Sequence, residues 1–352
     1  MAMAAANFCS FVRGPITSRA FTHVLQFSSA CSSFLPNPLQ ESIRAAVESK
    51  TYHKIPDILN AAMPSSHQQS QSPNPFSFLS SLPGAHKART VDKILQSFIP
   101  IRPRSGPRLA YSYLLSFTLE GPDPLPLGLA VLQRTLRSGC LPSPQTHLTL
   151  SKAWLDRRLL NKNHTASSML TEMRSIGYSP DCGTCNYLVQ SLCKVNKVEE
   201  AVEVVRAMGR AGCAPDLDSF GTLIGEMSEF RMSSGILKMF KEMVRGYGLS
   251  PRKEIVVKAA NAIRANRDAW RGVEMVEFLE GENVDVGFEA YESVLECCLE
   301  AREFVLAGKF AVRMRGRGFI PYIRVRQRVF EGLVGVGEVE LAMVVRRRFA
   351  EF

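Results

Sequence analysis

The residues with the plainest chemical potential are Cys182 and Cys185, a CxxC pair with Cys193 and Cys213 close behind. A structural zinc site takes four Cys or His ligands, so this pair would need a second one. Cys297 and Cys298 are adjacent rather than spaced, and the nearest histidine is His164, so the set stays incomplete. A thioredoxin-like dithiol needs a strand ahead of its CxxC, whereas a Pro-Asp boundary precedes this one. Reduced, packed thiols are the better reading. His23, His53, His67, His86, His147 and His164 are scattered, and none sits with an acid or serine in a recognisable motif. No Gly-rich loop of the Walker type is present to cradle a phosphate. The sequence supports no catalytic residue, no metal site and no cofactor.

A second suggestive stretch is basic. Residues 305–330 contain no acid and carry seven positive charges, Lys309, Arg313, Arg315, Arg317, Arg324, Arg326 and Arg328. Such a block can neutralise phosphates and make binding steeply salt-dependent. Its alternatives are a solvated basic face or contact with an acidic protein, with nucleic acid the preferred reading. The whole chain, 352 residues with 43 Lys and Arg against 33 Asp and Glu, is +10 and suits a polyanionic partner. No run of 18 apolar residues exists to span a membrane.

The elements that must position these residues are repeated. Residues 182–216 read as two short amphipathic helices, with Leu188, Val189 and Leu192 on one and Val198, Ala201, Val202, Val205 and Met208 on the other. Asn196 and Lys197 form the turn between them, and Gly212 and Pro215 end the second. Met173, Met208, Met243, Leu279, Met314 and Phe349 follow one another at spacings of 35, 35, 36, 35 and 35 residues. Seven positions before each stands Ala166, Ala201, Ile236, Gly272, Ala307 or Ala342, mostly small residues that let paired helices approach. Gly177 with Pro180, Gly248 with Pro251 and Gly318 with Pro321 repeat the stop signal. A fixed period of this length predicts a solenoid.

In NYLVQSLCKVNKVEEAVEVVRAMGRAGCAPD and SMLTEMRSIGYSPD the chain resembles the pentatricopeptide repeat family, pure-repeat class. The Trp/Leu-Gly-Tyr pattern of the 34-residue tetratricopeptide rival is missing. The expectation is an all-α, right-handed solenoid of about nine helix-turn-helix repeats. Residues 144–352 should form the array, with an incomplete last repeat from Ile323, and 37–143 degenerate repeats. An enlarged turn is expected around 161–163, and a polar loop over 65–75. Residues 1–40 lack Asp and Glu but hold Arg13, Arg19 and many serines, the composition of an organellar transit peptide, set at 1–36. The mitochondrion is preferred, with the chloroplast as alternative.

The resemblance also implies a function. Relatives bind single-stranded organellar RNA, each repeat reading a base with one residue on its first helix and another at its end. Carried onto this chain, Asn186 pairs with Asp216, a combination resembling those that prefer a pyrimidine, uracil first. The next unit offers Gly221 with Arg252, then Val257 with Gly287 and Glu292 with Tyr322, which match no familiar pair; nor does Ser112 with Ser143. Asp218, Glu254 and Glu289 stand where an apolar side chain should wedge between bases, and would repel the backbone. Lys194 is placed to meet a phosphate, alongside Arg313, Arg315, Arg317, Arg324, Arg326 and Arg328. The implied role is RNA processing, stabilisation or translation by occupancy, with no small-molecule substrate. The alternative is a protein-binding solenoid, or a subunit working with organellar ribosomal or RNA-processing proteins.

Overall fold

The computed structural model describes residues 38–62, 73–160 and 164–350. The expected transit segment, the 161–163 turn and most of the 65–75 loop lie outside the described residues. Asn37–Phe352 form one compact unit. Among the described residues there are seventeen α-helices and no strand.

The N-terminal part holds α1 (Pro38–Glu48), α2 (Ile55–Ala62), α3 (Gly84–Phe98), α4 (Arg108–Leu119) and α5 (Pro124–Arg137). Within the expected degenerate repeats, PFSFLSSL forms only a single 3-10 turn at Ser77–Ser81, hemmed in by Pro73, Pro75 and Pro83. α2 packs on α4 and α3 on α5. From there the hairpins follow in order: α6 (Gln145–Leu160) with α7 (Ala166–Thr171), then α8 (Cys182–Lys194) with α9 (Val198–Ala211). Next come α10 (Leu217–Glu229) with α11 (Ser233–Lys241), and α12 (Lys253–Ala265) with α13 (Ala269–Gly281). α14 (Phe288–Glu300) pairs with α15 (Phe304–Gly316), and α16 (Ile323–Gly335) with α17 (Val339–Ala350). The last repeat, expected to be incomplete, therefore has both helices.

First helices stack on first helices, α6 on α8, α8 on α10, α10 on α12, α12 on α14 and α14 on α16. Second helices make the other layer, with α7 against α9, α11 against α13 and α15 against α17. The markers fall between the layers: Met173, Met208, Leu279 and Met314 are fully buried, as are Ala201, Ile236, Ala307 and Ala342. Two left-handed reversals per repeat produce this layering. Within hairpins they fall at Asn196, Arg231, Arg267, Arg302 and Gly337, and between hairpins at Gly177, Gly212, Gly248, Asn283 and Gly318. The repeat without the stop glycine thus uses Asn283, the side chain most tolerant of that conformation. Gly212 is further constrained, because a Cβ there would lie 2.7 Å from Nη2 of Arg174, which donates to the Ala211 carbonyl.

One polar group in the α6–α8 contact titrates unusually. His147 is buried and stacks on Tyr187 with ring centroids 4.3 Å apart. Ser191 Oγ donates to the Tyr187 carbonyl, so His147 Nδ1–H donates to Ser191 Oγ at 2.8 Å. Burial, aided by the Lys194 charge, lowers its pKa from 6.5 to about 4. The unfolded chain protonates this ring below 6.5 while the folded chain resists until about 4, so folding weakens as pH falls across that window. Urea midpoints measured across it should fall more steeply for the wild type than for His147→Gln. Parallel slopes would remove His147 as the cause.

Candidate nucleic-acid interface

The best-formed polar cluster lies where α8 meets the start of α10. Asp216 caps α10: its Oδ1 accepts from Ser219 N at 2.8 Å, and Ser219 Oγ accepts from Asp216 N at 3.1 Å. This reciprocal capping box fixes both side chains at the helix N-terminus. One turn into α8, Asn186 reaches across. Its Nδ2 donates to Asp216 Oδ1 at 3.2 Å, and Ser219 Oγ donates to its Oδ1 at 2.6 Å. Two residues 30 apart in sequence therefore meet, and both are half-buried. Burial would raise the Asp216 pKa, but bonds from Ser219 and Asn186 outweigh it and hold the carboxyl below its ordinary 3.8. The cluster occupies the adjacent N–H and oxygen lone pair of the Asn186 amide and leaves one N–H and one lone pair on its two outer sides, either of which can meet a polar group of an unstacked base.

The following units are built differently. Gly221 faces Ile255, whose Cγ1 lies 3.8 Å from where a Cβ would stand. Arg252 turns instead to Asp218, 2.9 Å away, with both side chains largely exposed. Gly221 has no side chain to set beside Arg252, and Asp218 is neutralised rather than left to repel a strand. In the unit after next, Glu292 accepts from Tyr322 N at 3.2 Å and is buried, with its Oε2 unpartnered. Burial raises the pKa of this carboxyl. Helix capping rather than a presented base edge is what this geometry provides.

The basic stretch is partly spent inside the fold. Arg313 bridges to Glu277 at 2.7 Å and Glu280 at 2.8 Å, and Arg317 to Glu280 at 3.1 Å. Glu280 also accepts from the Tyr291 hydroxyl. Arg315 Nε reaches the Arg348 carbonyl at 3.4 Å, and Arg326 lies over the Phe349 ring. Arg324, Arg328 and Lys194 are exposed, and their ammonium and guanidinium groups stay available to phosphates. The acid-free sequence 305–330 overstated the positive surface because its counter-charges sit one repeat earlier, on α13.

The thiols pack as read. Cys185 is buried with its Sγ 3.7 Å from that of Cys213, and Cys182 Sγ–H donates to the Ala214 carbonyl at 3.1 Å. Among the described residues no three His, Cys, Asp or Glu side chains are grouped to hold a metal ion. None of the described helices is long and apolar enough to cross a membrane. The sequence reading passed over Ser219, although Asp216-x-x-Ser219 carries the spacing of a helix cap and could have revealed it.

Residues 180–229, which include the whole cluster, match the family model described as PPR repeat family. A pentatricopeptide repeat-containing protein of Arabidopsis thaliana is 49% identical over 97% of this chain and 97% of its own length. A small ribosomal subunit protein of the same plant is 25% identical over 33% of this chain and 22% of its own length. Among solved structures, the pentatricopeptide repeat protein PPR10 from maize is similar at 14% identity with a TM-score of 0.38, covering 90% of this chain and 55% of its own.

Removing the cap isolates its worth. Asp216→Ala should cost about 1 kcal/mol in urea unfolding at neutral pH. Because the folded-state pKa lies below the unfolded value, this contribution is present above 3.8 and is lost as pH falls through the folded pKa. The gap between the two proteins should close there, and a gap persisting in strong acid would contradict the assignment.

Proposed function

The chain belongs to the pentatricopeptide repeat family, and we propose that it binds single-stranded organellar RNA. It acts in RNA processing, stabilisation or translation by occupying a transcript segment, without catalysis of its own. The observation that carries this reading is the Asn186–Asp216 contact, held at 3.2 Å between consecutive first helices with a donor and an acceptor still free. A pyrimidine, uracil first, is the base assigned to it. Lys194 on the same helix, with Arg324 and Arg328 further along, meets the phosphates. Gly221 and Arg252 contribute spacing and an ion pair rather than base contacts. Occupancy blocks nucleases and holds the strand unpaired.

The mitochondrion is the proposed compartment, supported by the acid-free, Arg- and Ser-bearing residues 1–40, with the chloroplast as alternative. A second reading has its own support. Two partial relatives, at 25% and 32% identity, are named as small ribosomal subunit proteins, which favours a subunit or assembly role on an organellar ribosome.

Crosslinking and immunoprecipitation of the tagged protein from isolated organelles, with sequencing of the bound RNA, tests both. One or a few short footprints are expected, and Asn186→Ala should weaken them by about 1–3 kcal/mol in binding free energy. Broad rRNA recovery, with co-sedimentation that survives Asn186→Ala and Asp216→Ala, would favour the ribosomal reading. No salt-sensitive RNA enrichment at all would end the first.

A further inference from the structure

The Asn186 cluster contains a third member whose chemistry goes beyond capping. Ser219 is fully buried, so no water competes for its hydroxyl. Its oxygen already accepts from Asp216 N, and its single proton has three acceptors in range: Asn186 Oδ1 at 2.6 Å, Asp216 Oδ1 at 3.0 Å and Met208 Sδ at 3.9 Å. The shortest contact is to the amide oxygen. Asp216, ionised, only accepts, and this demands the amide nitrogen on its side. The two neighbours agree on one orientation. Turned end for end, the amide would set its oxygen against the carboxylate.

That orientation matters because uracil and cytosine present opposite patterns. Uracil offers an acceptor at O4 beside a donor at N3; cytosine offers a donor at N4 beside an acceptor at N3. A freely turning amide satisfies either base, meeting uracil O4 with its N–H or cytosine N4 with its oxygen, whereas a fixed one keeps one of the two toward the strand. We infer that Ser219 is a positioning residue that locks the Asn186 amide and thereby lets this repeat tell uracil from cytosine. The inference rests on the RNA-binding reading above and assigns a residue that lies outside its base-contacting pair.

The neighbouring junctions supply an internal comparison. At the position of Ser219 the later first helices carry Ile255, Ala290 and Val325, and these follow Gly221, Val257 and Glu292 at the position of Asn186. One repeat earlier the same place holds Thr184, whose hydroxyl is buried without a partner. At these equivalent positions a hydroxyl meets an amide at the α8–α10 junction and not at the later ones; the Ser293–Asn261 bond of the α12–α14 junction, 2.8 Å long, lies further along the helices. Thr184, buried at the equivalent place one repeat earlier, is the precedent for threonine at this position.

The full chain is incubated with a pool of randomised short single-stranded RNAs, and the bound fraction is sequenced for the wild type, Ser219→Ala, Ser219→Thr and Asn186→Ala. Wild type should select one position with a uracil-to-cytosine bias, and Asn186→Ala should erase it. Ser219→Ala should shrink that ratio about fivefold, the worth of one net hydrogen bond, while Ser219→Thr keeps it. Ser219→Cys, similar in size but a weak donor, carries the same expectation as alanine and covers a repeat that alanine unfolds. A bias left unchanged by Ser219→Ala and Ser219→Cys would overturn the role of Ser219 alone. A pool from which wild type selects nothing would overturn the RNA reading together with it.

Discussion

A hairpin of two helices, 13 and 14 residues long in the α8–α9 unit, has more apolar surface than its own halves can cover. Val189, Leu192, Ala201 and Val205 are at most 1% exposed only because flanking hairpins close over them. Every other feature follows from this need for neighbours. The chain must return after each helix at the same angle, so left-handed residues recur twice per repeat. Burial along the stack then depends on adjacent units rather than on one central core.

Ion pairs reinforce the same adjacency. Arg206 grips Glu242 through two nitrogens, Lys241 meets Glu274 and Arg245 meets Glu282, each joining one second helix to the next repeat. In the first-helix layer Arg264 bridges to Glu296 and Glu300 on α14. Each exposed pair is worth little alone, but such pairs recur at the spacing of the repeat and favour one register of stacking over a slipped one. Many of the basic side chains are therefore engaged in holding repeats together, and the excess of +10 is left to the others.

The layered fold was legible because a repeat states its spacing many times over: one marker column, one small-residue column and the Gly-Pro stops sufficed. The missing stop near 283 was not legible from glycine alone, since Asn283 takes the same backbone conformation. The Asn186–Asp216 contact was legible through the resemblance, which brings together residues on successive units. What was hidden depended on side chains choosing between partners a repeat away. Arg252 chose Asp218, and Arg313 and Arg317 chose Glu280, and no local window of sequence displays that competition. The N-terminal helices were the least legible, because prolines interrupt the period and leave Ser77–Ser81 as a turn.

The uneven furnishing of the junctions has a consequence for information. One specified nucleotide recurs every few bases in any transcript, so a single furnished junction cannot serve as an address. The remaining junctions, lined by Ile255, Ala290 and Val325, distinguish little beyond shape and backbone charge. On the proposed RNA-binding reading, the locked amide would set the phase of a strand along the array, while the choice among transcripts would fall to the unpaired length of the strand and to whatever else is bound beside it.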